Sequence, residues 1–203
     1  SEEVNIAFLW VANSGEDTVS KIDTVDIQET ARYRVCDNPS RTSVDLYGDV
    51  WVACRSDGAV AKIANYEQNC IDKNGDEVIQ TSRDDNGNGK IDANEIMTKG
   101  TDECVLFFTY PGGSVQRAVG VDKDNYAWVG EWNAGMLRKL HPQTGQVVDQ
   151  ISIYPNRPYG MVIDKEGIIW VSARSPGNLV RVDPETKAVK SFPFSSGATY
   201  GIA

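Results

Sequence analysis

The chain alternates short apolar runs with turn-forming residues along most of its length. Near the C-terminal end, apolar runs at 159–163, 168–172, 179–182 and 188–192 are separated by Gly, Pro, Asn and Asp. Short runs rich in Val and Ile with such boundaries are typical of β-strands. Since no amphipathic segment of helix length lies between these runs, the pattern predicts an all-β protein.

The strand pattern repeats along the chain. Four tetrapeptides, WVAN, WVAC, WVGE and WVSA, begin at positions 10, 51, 128 and 170. Twelve residues after each Trp comes an apolar residue preceded by a base, and an aspartate precedes three of the Trp residues by six positions: Asp45, Asp122 and Asp164. The Trp spacings are 41, 77 and 42, and the long interval contains the 35-residue segment 70–104. The period is therefore 41 to 42 residues, with one insertion.

Four strands in a unit of about forty residues are typical of a β-propeller blade. A β-sandwich is the alternative, but its strands would not repeat Trp, base and Asp in register. The predicted units are 1–38, 39–115, 116–157 and 158–198, with the start of a fifth at 199–203 and the insertion 70–104 in the second blade. We expect these blades to be part of a larger propeller, since segment 199–202 repeats 158–161 in type and no run precedes Trp10. A four-bladed ring closed by the last strand is the alternative.

Two of the repeats resemble blades of a known family. The segments PYGM at 158–161, LVRVD at 179–183 and WVGEWNAGMLRKL at 128–140 look like blades of the virginiamycin B lyase family, within the wider set of NHL-like propellers. The resemblance covers all four units outside the insertion. It implies a propeller fold, and says little about activity because such blades serve many unrelated functions.

The resemblance also implies where catalysis would occur. In that family a histidine and a glutamate at the channel mouth act with magnesium, and the histidine belongs to a Pro-His-Gly motif. Here this motif reads Pro158-Tyr159-Gly160, and the family glutamate is replaced by Ala173-Arg174. Only Glu131-Trp132 keeps a similar pair, and the sole histidine, His141, is expected in a surface turn. The lyase activity is therefore not expected to carry over, because the proton-transfer group is missing.

The insertion contains a calcium-loop motif. Segment 84–95, DDNGNGKIDANE, fits the twelve-residue EF-hand loop, with Gly89 at the sharp turn and Ile91 as the packing residue. Calcium needs six to eight oxygen ligands, and this spacing places them around one point. The predicted ligands are Asp84, Asn86, Asn88, the Lys90 carbonyl, Asp92 and Glu95. A solvated acidic loop is the alternative.

An earlier segment begins in the same way. Asp72, Asn74 and Asp76 follow the ligand spacing, but Glu77 replaces the glycine and Arg83 stands where the bidentate acid belongs. A second calcium ion is therefore possible only if ligands come from outside this loop, such as Asp102 or Glu103. No long helices are expected beside either loop, so a sensor that opens a groove is not predicted.

The four cysteines favour an oxidising compartment, where calcium is also abundant. Cys70 and Cys104 bracket the insertion, and a bridge between them would leave Cys36 and Cys54 to pair. Four reduced thiols in a cytosolic protein are the alternative. The expected location is thus extracellular, cell-surface or periplasmic.

Charge and composition exclude several classes of partner. The net charge is −9, from 20 basic and 29 acidic residues, which argues against nucleic acid and anionic membranes. No apolar stretch is long enough for a transmembrane helix. Within the insertion, nine acidic and four basic residues concentrate the negative charge.

Equivalent repeat positions should meet at one end of the propeller channel. Aligning the repeats groups Ser40 with Arg117, Tyr159 and Tyr200, and groups Ser14 with Arg55, Trp132 and Arg174. These positions, with Glu131, predict a site for an anionic or carbohydrate ligand. Ion pairing and aromatic packing between blades is the alternative. The candidate ligand residues are Arg55, Arg117, Glu131, Trp132, Tyr159, Arg174 and Tyr200.

Together these features predict a non-catalytic, secreted or cell-surface β-propeller that binds a protein or glycan, with calcium fixing its insertion. A divergent lyase-like enzyme using Glu131, Tyr159 and Arg174 around a metal is the first alternative. A subunit of an extracellular filament or adhesin is the second. The sequence predicts no oligomeric state.

Overall fold

The computed structural model describes residues 7–194, 197 and 199–202. This part of the chain forms fifteen β-strands in four antiparallel sheets, with a single 3-10 turn at Glu67–Asn69. None of its helices is long and apolar enough to cross a membrane. The chain visits the sheets one after another, and within each sheet consecutive strands are hydrogen-bonded neighbours.

We number the sheets as blades 1 to 4. Blade 1 has β1 (Phe8–Asn13), β2 (Thr18–Asp23) and β3 (Gln28–Arg34), and blade 2 has β4 (Pro39–Val44), β5 (Val50–Cys54), β6 (Val60–Ile63) and β7 (Val105–Thr109). Blade 3 has β8 (Gln116–Val121), β9 (Ala127–Glu131), β10 (Met136–Leu140) and β11 (Val147–Ser152). Blade 4 has β12 (Arg157–Ile163), β13 (Ile169–Ser175), β14 (Asn178–Val182) and β15 (Val189–Pro193).

The first strands of blades 2, 3 and 4 face one another. Strand β8 contacts both β4 and β12, so these three strands are the innermost of their blades. The repeated Trp lies on the second strand of each of these blades, whereas in blade 1 it lies on β1, the first strand described. Blade 1 therefore corresponds to the second, third and fourth strands of the others. The prediction of an all-β propeller built from four-stranded blades is confirmed.

The core lies between neighbouring blades. Trp51 and Trp128 are almost fully buried, and Trp10 is 6% exposed. Trp170 is only half-buried and stacks on Phe192, with ring centroids 6.4 Å apart. The difference arises because no further described sheet covers the outer side of blade 4.

In blades 3 and 4 the repeated aspartate joins the turn to the Trp behind it, and Asp164 accepts the Trp170 indole N–H at 2.8 Å. In blade 3, Asp122 accepts hydrogen bonds from the backbone amides of Asp124 and Tyr126, at 3.0 and 2.9 Å. It also accepts the Trp128 indole N–H at 3.2 Å and lies 2.9 Å from the Lys139 amine. In blade 3, Asp, Trp and base therefore form one polar network that fixes the turn between the first two strands. In blade 2, Asp45 lies 2.9 Å from the Lys62 amine, but the buried Trp51 indole N–H has no hydrogen-bond partner among the described residues.

The insertion lies between β6 and β7, at the outer side of blade 2. Its ends are joined by the Cys70–Cys104 disulfide, whose Cα atoms are 4.4 Å apart. A second disulfide, Cys36–Cys54, has Cα atoms 5.9 Å apart and joins the end of blade 1 to β5. The Cys70–Cys104 disulfide thus closes the insertion where it leaves blade 2, and we call this closure the disulfide neck.

Candidate functional site

A β-bulge recurs near the start of each innermost strand. The strand register shifts between Pro39 and Arg41 in β4, between Gln116 and Ala118 in β8, and across Pro158–Gly160 in β12. The three bulged residues are Ser40, Arg117 and Tyr159. Bulges commonly redirect a side chain beside a functional site. Here they bring equivalent repeat positions to the end of the channel where β4, β8 and β12 begin, which we call the channel mouth.

The Tyr159 ring is the centre of this mouth. It is 3% exposed, and the guanidinium carbons of Arg117 and Arg174 lie 4.1 and 5.5 Å from its centroid. The Tyr200 ring packs against it with centroids 4.6 Å apart, and the Trp132 ring meets it edge-on at 5.9 Å. Four of the predicted ligand residues therefore surround the fifth.

The sequence analysis missed Arg41. Its guanidinium carbon lies 4.8 Å from the Tyr159 centroid and 5.9 Å from that of Tyr200. Arg41 follows the bulge in β4, whereas the equivalent residues of the next blades are Ala118 and Gly160. The available signal was an arginine at a repeat position where the other two blades have a small residue.

The remaining predicted residues differ in their roles. Arg55 is close enough for its charge to act on Arg117, and its Nε donates to Asn38 Oδ1 at 2.6 Å. Glu131 is 1% exposed and accepts the backbone amides of Asn133 and Ala134, so it fixes the β9–β10 turn. The residues that the structure brings together, here called the mouth cluster, are Arg41, Arg55, Arg117, Trp132, Tyr159, Arg174 and Tyr200.

The crowding of positive charge changes two pKa values. Burial lowers the pKa of Arg117, the Tyr159 hydroxyl opposes this, and the charges of Arg55 and Arg41 lower the pKa further. For Tyr159, burial acts to raise the pKa. The hydrogen bond with Tyr200 and the charges of Arg117 and Arg41 outweigh burial and hold the pKa below its usual value. The lowered pKa of Tyr159 thus reflects the neighbouring positive charges, whereas that of Arg117 reflects burial first and these charges second.

The mouth differs in chemistry from a magnesium centre. A cavity of about 140 Å³ is lined by Val115, Arg117, Trp132, Tyr159 and Arg174. Two guanidinium groups beside a phenol repel a divalent cation, which prefers carboxylate and carbonyl oxygens. The sole histidine, His141, lies at the opposite end of blade 3, since β9 runs from its neighbour Tyr126 toward Glu131. The residues at the mouth do not fit the metal-dependent site that the family resemblance implies.

The side chains of the 84–95 loop are held by hydrogen bonds within the loop. Asp84 accepts amides from Gly87 and Asn88 at 2.8 and 3.1 Å through one oxygen, and from Gly89 at 2.7 Å through the other. The side-chain amides of Asn86 and Asn88 both donate to Asp92 Oδ2, at 3.1 and 2.8 Å. Asp92, at position nine, is therefore joined to the side chains at positions three and five, while Asp84, at position one, holds the loop backbone.

Glu95 closes this loop from its twelfth position. One carboxylate oxygen accepts the amides of Asp85 and Asn86, at 3.0 and 3.1 Å, and the other accepts the Asp92 amide at 2.8 Å. Ile91 is 6% exposed and anchors the loop in the insertion. Carboxylate and amide oxygens are the ligands that Ca²⁺ prefers, so the donor set fits this ion.

The 72–83 loop adopts the same pattern. Asp72 accepts the amides of Gly75 and Glu77, at 2.6 and 2.9 Å, as Asp84 accepts those of its fourth and sixth residues. Asn74 and Asp76 accept the amides two residues further on, at 2.9 and 3.0 Å. Glu77 takes the left-handed φ of +67° where Gly89 has +78°. Glu77 therefore takes the left-handed conformation that the glycine takes at the sixth position of the other loop.

Glu103 supplies the acid that the 72–83 loop lacks. Its two carboxylate oxygens accept the amides of Lys73 and Gln80, at 2.9 and 2.7 Å. These are the second and ninth positions of this loop, and Glu95 accepts the amides at the same positions of its own loop. Glu103 is 1% exposed. Asp102, the other outside candidate, instead binds the Ser82 amide and hydroxyl, at 2.9 and 2.6 Å.

Known structures share the fold of this chain. Over 97% of its length the chain superposes on virginiamycin B lyase from Staphylococcus aureus, with a TM-score of 0.66 and 13% sequence identity. It also covers 97% of its length on the WD40 β-propeller domain of Doa1, with a TM-score of 0.69 and 10% identity. The chain spans 56% and 54% of the length of these two structures. At such identities the likeness shows the fold alone, and the fold defines a β-propeller.

Sequence comparison gives a shorter match. A stretch of 49 residues is 45% identical to regucalcin from Oryctolagus cuniculus, covering 22% of this chain and 16% of that protein. No protein-family model matches the sequence. The class of the protein is therefore a β-propeller with a stapled acidic insertion.

Proposed function

We propose that the chain is a non-catalytic binding module or scaffold of an oxidising compartment, extracellular, at the cell surface or periplasmic. The mouth of its propeller binds a partner protein or a glycan. The observation that carries this proposal is the mouth cluster, in which Tyr159 stands at the position of the family histidine. A buried phenol held between arginine side chains offers groups that bind anions and aromatic or sugar faces, and it replaces the imidazole on which the family's proton transfer depends.

A glycan array probed with the calcium-loaded chain tests the binding function. Specific binding by the natural chain should be lost in Arg174→Ala, which removes a mouth guanidinium, and kept in the matched variant Arg181→Ala on the outer strand β14. Binding that both variants retain would place the ligand elsewhere, and the absence of any bound glycan or protein partner would overturn the proposal.

The enzyme alternative is favoured by one observation, the fold likeness to virginiamycin B lyase. Incubating the chain with virginiamycin B and magnesium, followed by mass spectrometry, distinguishes the two functions. We expect unchanged antibiotic, because the mouth is cationic and contains no histidine. Conversion that is lost in Glu131→Gln would replace the binding function by the enzymatic one.

The second part of the proposal concerns calcium, which we assign to both loops of the insertion. In the 84–95 loop the ligands are Asp84, Asn86, Asn88, the Lys90 carbonyl, Asp92 and Glu95. In the 72–83 loop they are Asp72, Asn74 and Asp76, completed by Glu103. The support is the matching hydrogen-bond pattern of the two loops. The ions would neutralise part of the negative charge of the insertion and fix it to blade 2.

Calorimetric titration with calcium tests this assignment. We expect two ions per chain, and one fewer strong site in Glu95→Gln and in Glu103→Gln. Glu77→Gln is the control, since this acid takes part in the 72–83 loop through its backbone only. If only one ion binds and Glu103→Gln does not change its affinity, the site in the 72–83 loop is refuted. If calcium does not raise the melting temperature, both sites are refuted.

A further inference from the structure

The mouth cluster carries positive charge without local compensation. In the described part of the chain, no carboxylate lies within 4 Å of the guanidinium groups of Arg41, Arg55, Arg117 or Arg174. The protein as a whole has a net charge of −9. Four unpaired cations at one end of an acidic protein create a local positive potential that attracts anions.

Arg117 also holds a donor that the described residues do not satisfy. It is 9% exposed, and its buried Nε has no hydrogen-bond partner. Leaving a buried donor unpaired costs about 1 to 3 kcal/mol, more for a charged group. The neighbouring cavity is lined by this residue, so an acceptor placed there would meet a donor already desolvated.

The cavity limits what can enter. Its volume of about 140 Å³ is below the 300 to 1,000 Å³ of typical ligand pockets. It therefore accommodates an end group of a ligand while the remainder lies along the open mouth. Guanidinium forks match carboxylates and sulfates bidentately, and the Trp132 and Tyr159 rings offer faces for the apolar side of a sugar ring.

We propose that the mouth cluster binds an acidic saccharide through its oxyanion group, with Arg117 and Arg174 as the principal charged contacts. This inference rests on the proposed function, because it names the class of ligand for the same site. Trp132 positions the sugar ring, and Arg41 adds positive charge from β4. A neutral glycan would leave the four cations unpaired.

The test compares glucuronate with glucose, which differ at C6 by a carboxylate, and includes inorganic sulfate as a free anion. Binding is measured by calorimetry or NMR titration with the calcium-loaded chain at two salt concentrations. We expect glucuronate to bind at least tenfold more tightly than glucose and more tightly than sulfate, with affinity falling as salt rises. Arg117→Met and Arg174→Gln should each weaken glucuronate binding about tenfold or more, and Arg181→Gln should not.

The outcomes distinguish the class of ligand from the binding function of the mouth itself. Equal binding of glucose and glucuronate, or binding unaffected by both mouth variants, would refute recognition of the anionic group. The proposed function as a binding module would still stand. If sulfate binds as tightly as glucuronate, the sugar ring contributes nothing, and the mouth is a site for free anions. A glycan or protein partner that binds the mouth without any preference for acid supports only the proposed function, whereas no ligand of any kind removes both. Because two arginines are tested separately, one variant that fails to fold does not prevent a decision.

Discussion

Lys21 offers the sharpest test of how the repeat network stabilises the propeller. It is the repeated base of blade 1, but Val4 stands six residues before Trp10, where the other units have an aspartate. The Lys21 amine donates instead to the Asn65 carbonyl oxygen and lies 4.1 Å from the Phe8 ring centroid. In the described part of the chain no carboxylate lies within 4 Å of this amine, whereas the amines of Lys62 and Lys139 each lie 2.9 Å from an aspartate. We predict that Lys21→Met stabilises the fold at neutral pH.

The magnitude follows from the pKa. Burial lowers the pKa of Lys21 from 10.5 to about 8, while Asp23 and Asp49 oppose this shift. Each pKa unit corresponds to about 1.4 kcal/mol, and partial solvent screening reduces the total to an expected gain of about 1 to 2 kcal/mol. Between pH 8 and 10.5 the unfolded chain binds the proton that the folded chain has released, so wild-type stability rises with pH in this window.

Urea unfolding at pH 7 and pH 10 measures the effect. At pH 7 the variant should exceed the natural chain by about 1 to 2 kcal/mol, a rise in melting temperature of roughly 2 to 8 °C. Most of this advantage should disappear by pH 10, because the natural Lys21 is then mostly neutral in the folded state. An advantage independent of pH would show that desolvation of the charge is not its source.

Lys62 is the matched control in blade 2. Its amine lies 2.9 Å from Asp45 and 3.4 Å from Asp49, and all three side chains are buried. Lys62→Met removes one partner and leaves buried carboxylates unpaired, so it should cost about 3 to 5 kcal/mol. The same substitution thus has opposite signs in neighbouring blades. If Lys21→Met destabilised the protein as Lys62→Met does, the reasoning from the missing aspartate would be refuted.

Two further predictions concern the backbone and the disulfide neck. Gly113→Ala should destabilise the fold by about 2 to 5 kcal/mol, because its φ is +78° and a Cβ would come within 2.2 Å of Glu131 Cγ. Gly167→Ala, with a φ of +83° and open space around it, should lose only about 1 to 2 kcal/mol in the same urea titration, and equal losses would contradict the steric term. Replacing Cys70 and Cys104 together with Ala should cost about 4 kcal/mol and weaken calcium binding in calorimetry; unchanged affinity would show that the neck does not position the loops.

The blades were predictable because the residues that form each blade recur in every repeat. Trp, the base and the aspartate recur in register, and the structure joins them in one network through Asp122, Trp128 and Lys139. The half-exposure of Trp170 was not predictable, since it depends on which sheet covers blade 4. Burial is a property of neighbouring blades, and the pattern within one unit does not contain it.

The candidate site was predictable in part. Alignment of the repeats brought Arg117, Tyr159 and Arg174 to one place, as the structure does. It missed Arg41 because a β-bulge redirects the following residue as well as the bulged one. It could not choose between Asp102 and Glu103 for the 72–83 loop, since both are distant in sequence and only the path of the chain decides which carboxylate meets that loop.

The repeated bulge has a consequence for how this protein can change. At each bulge one residue has no partner across the ladder, so its identity is free of the pairing constraints that fix the rest of the strand. Ser40, Arg117 and Tyr159 are chemically unlike one another, yet they occupy equivalent positions in blades of the same architecture. Each of blades 2, 3 and 4 thus carries one replaceable side chain at this position, and selection can alter the ligand one residue at a time while the sheets keep their register.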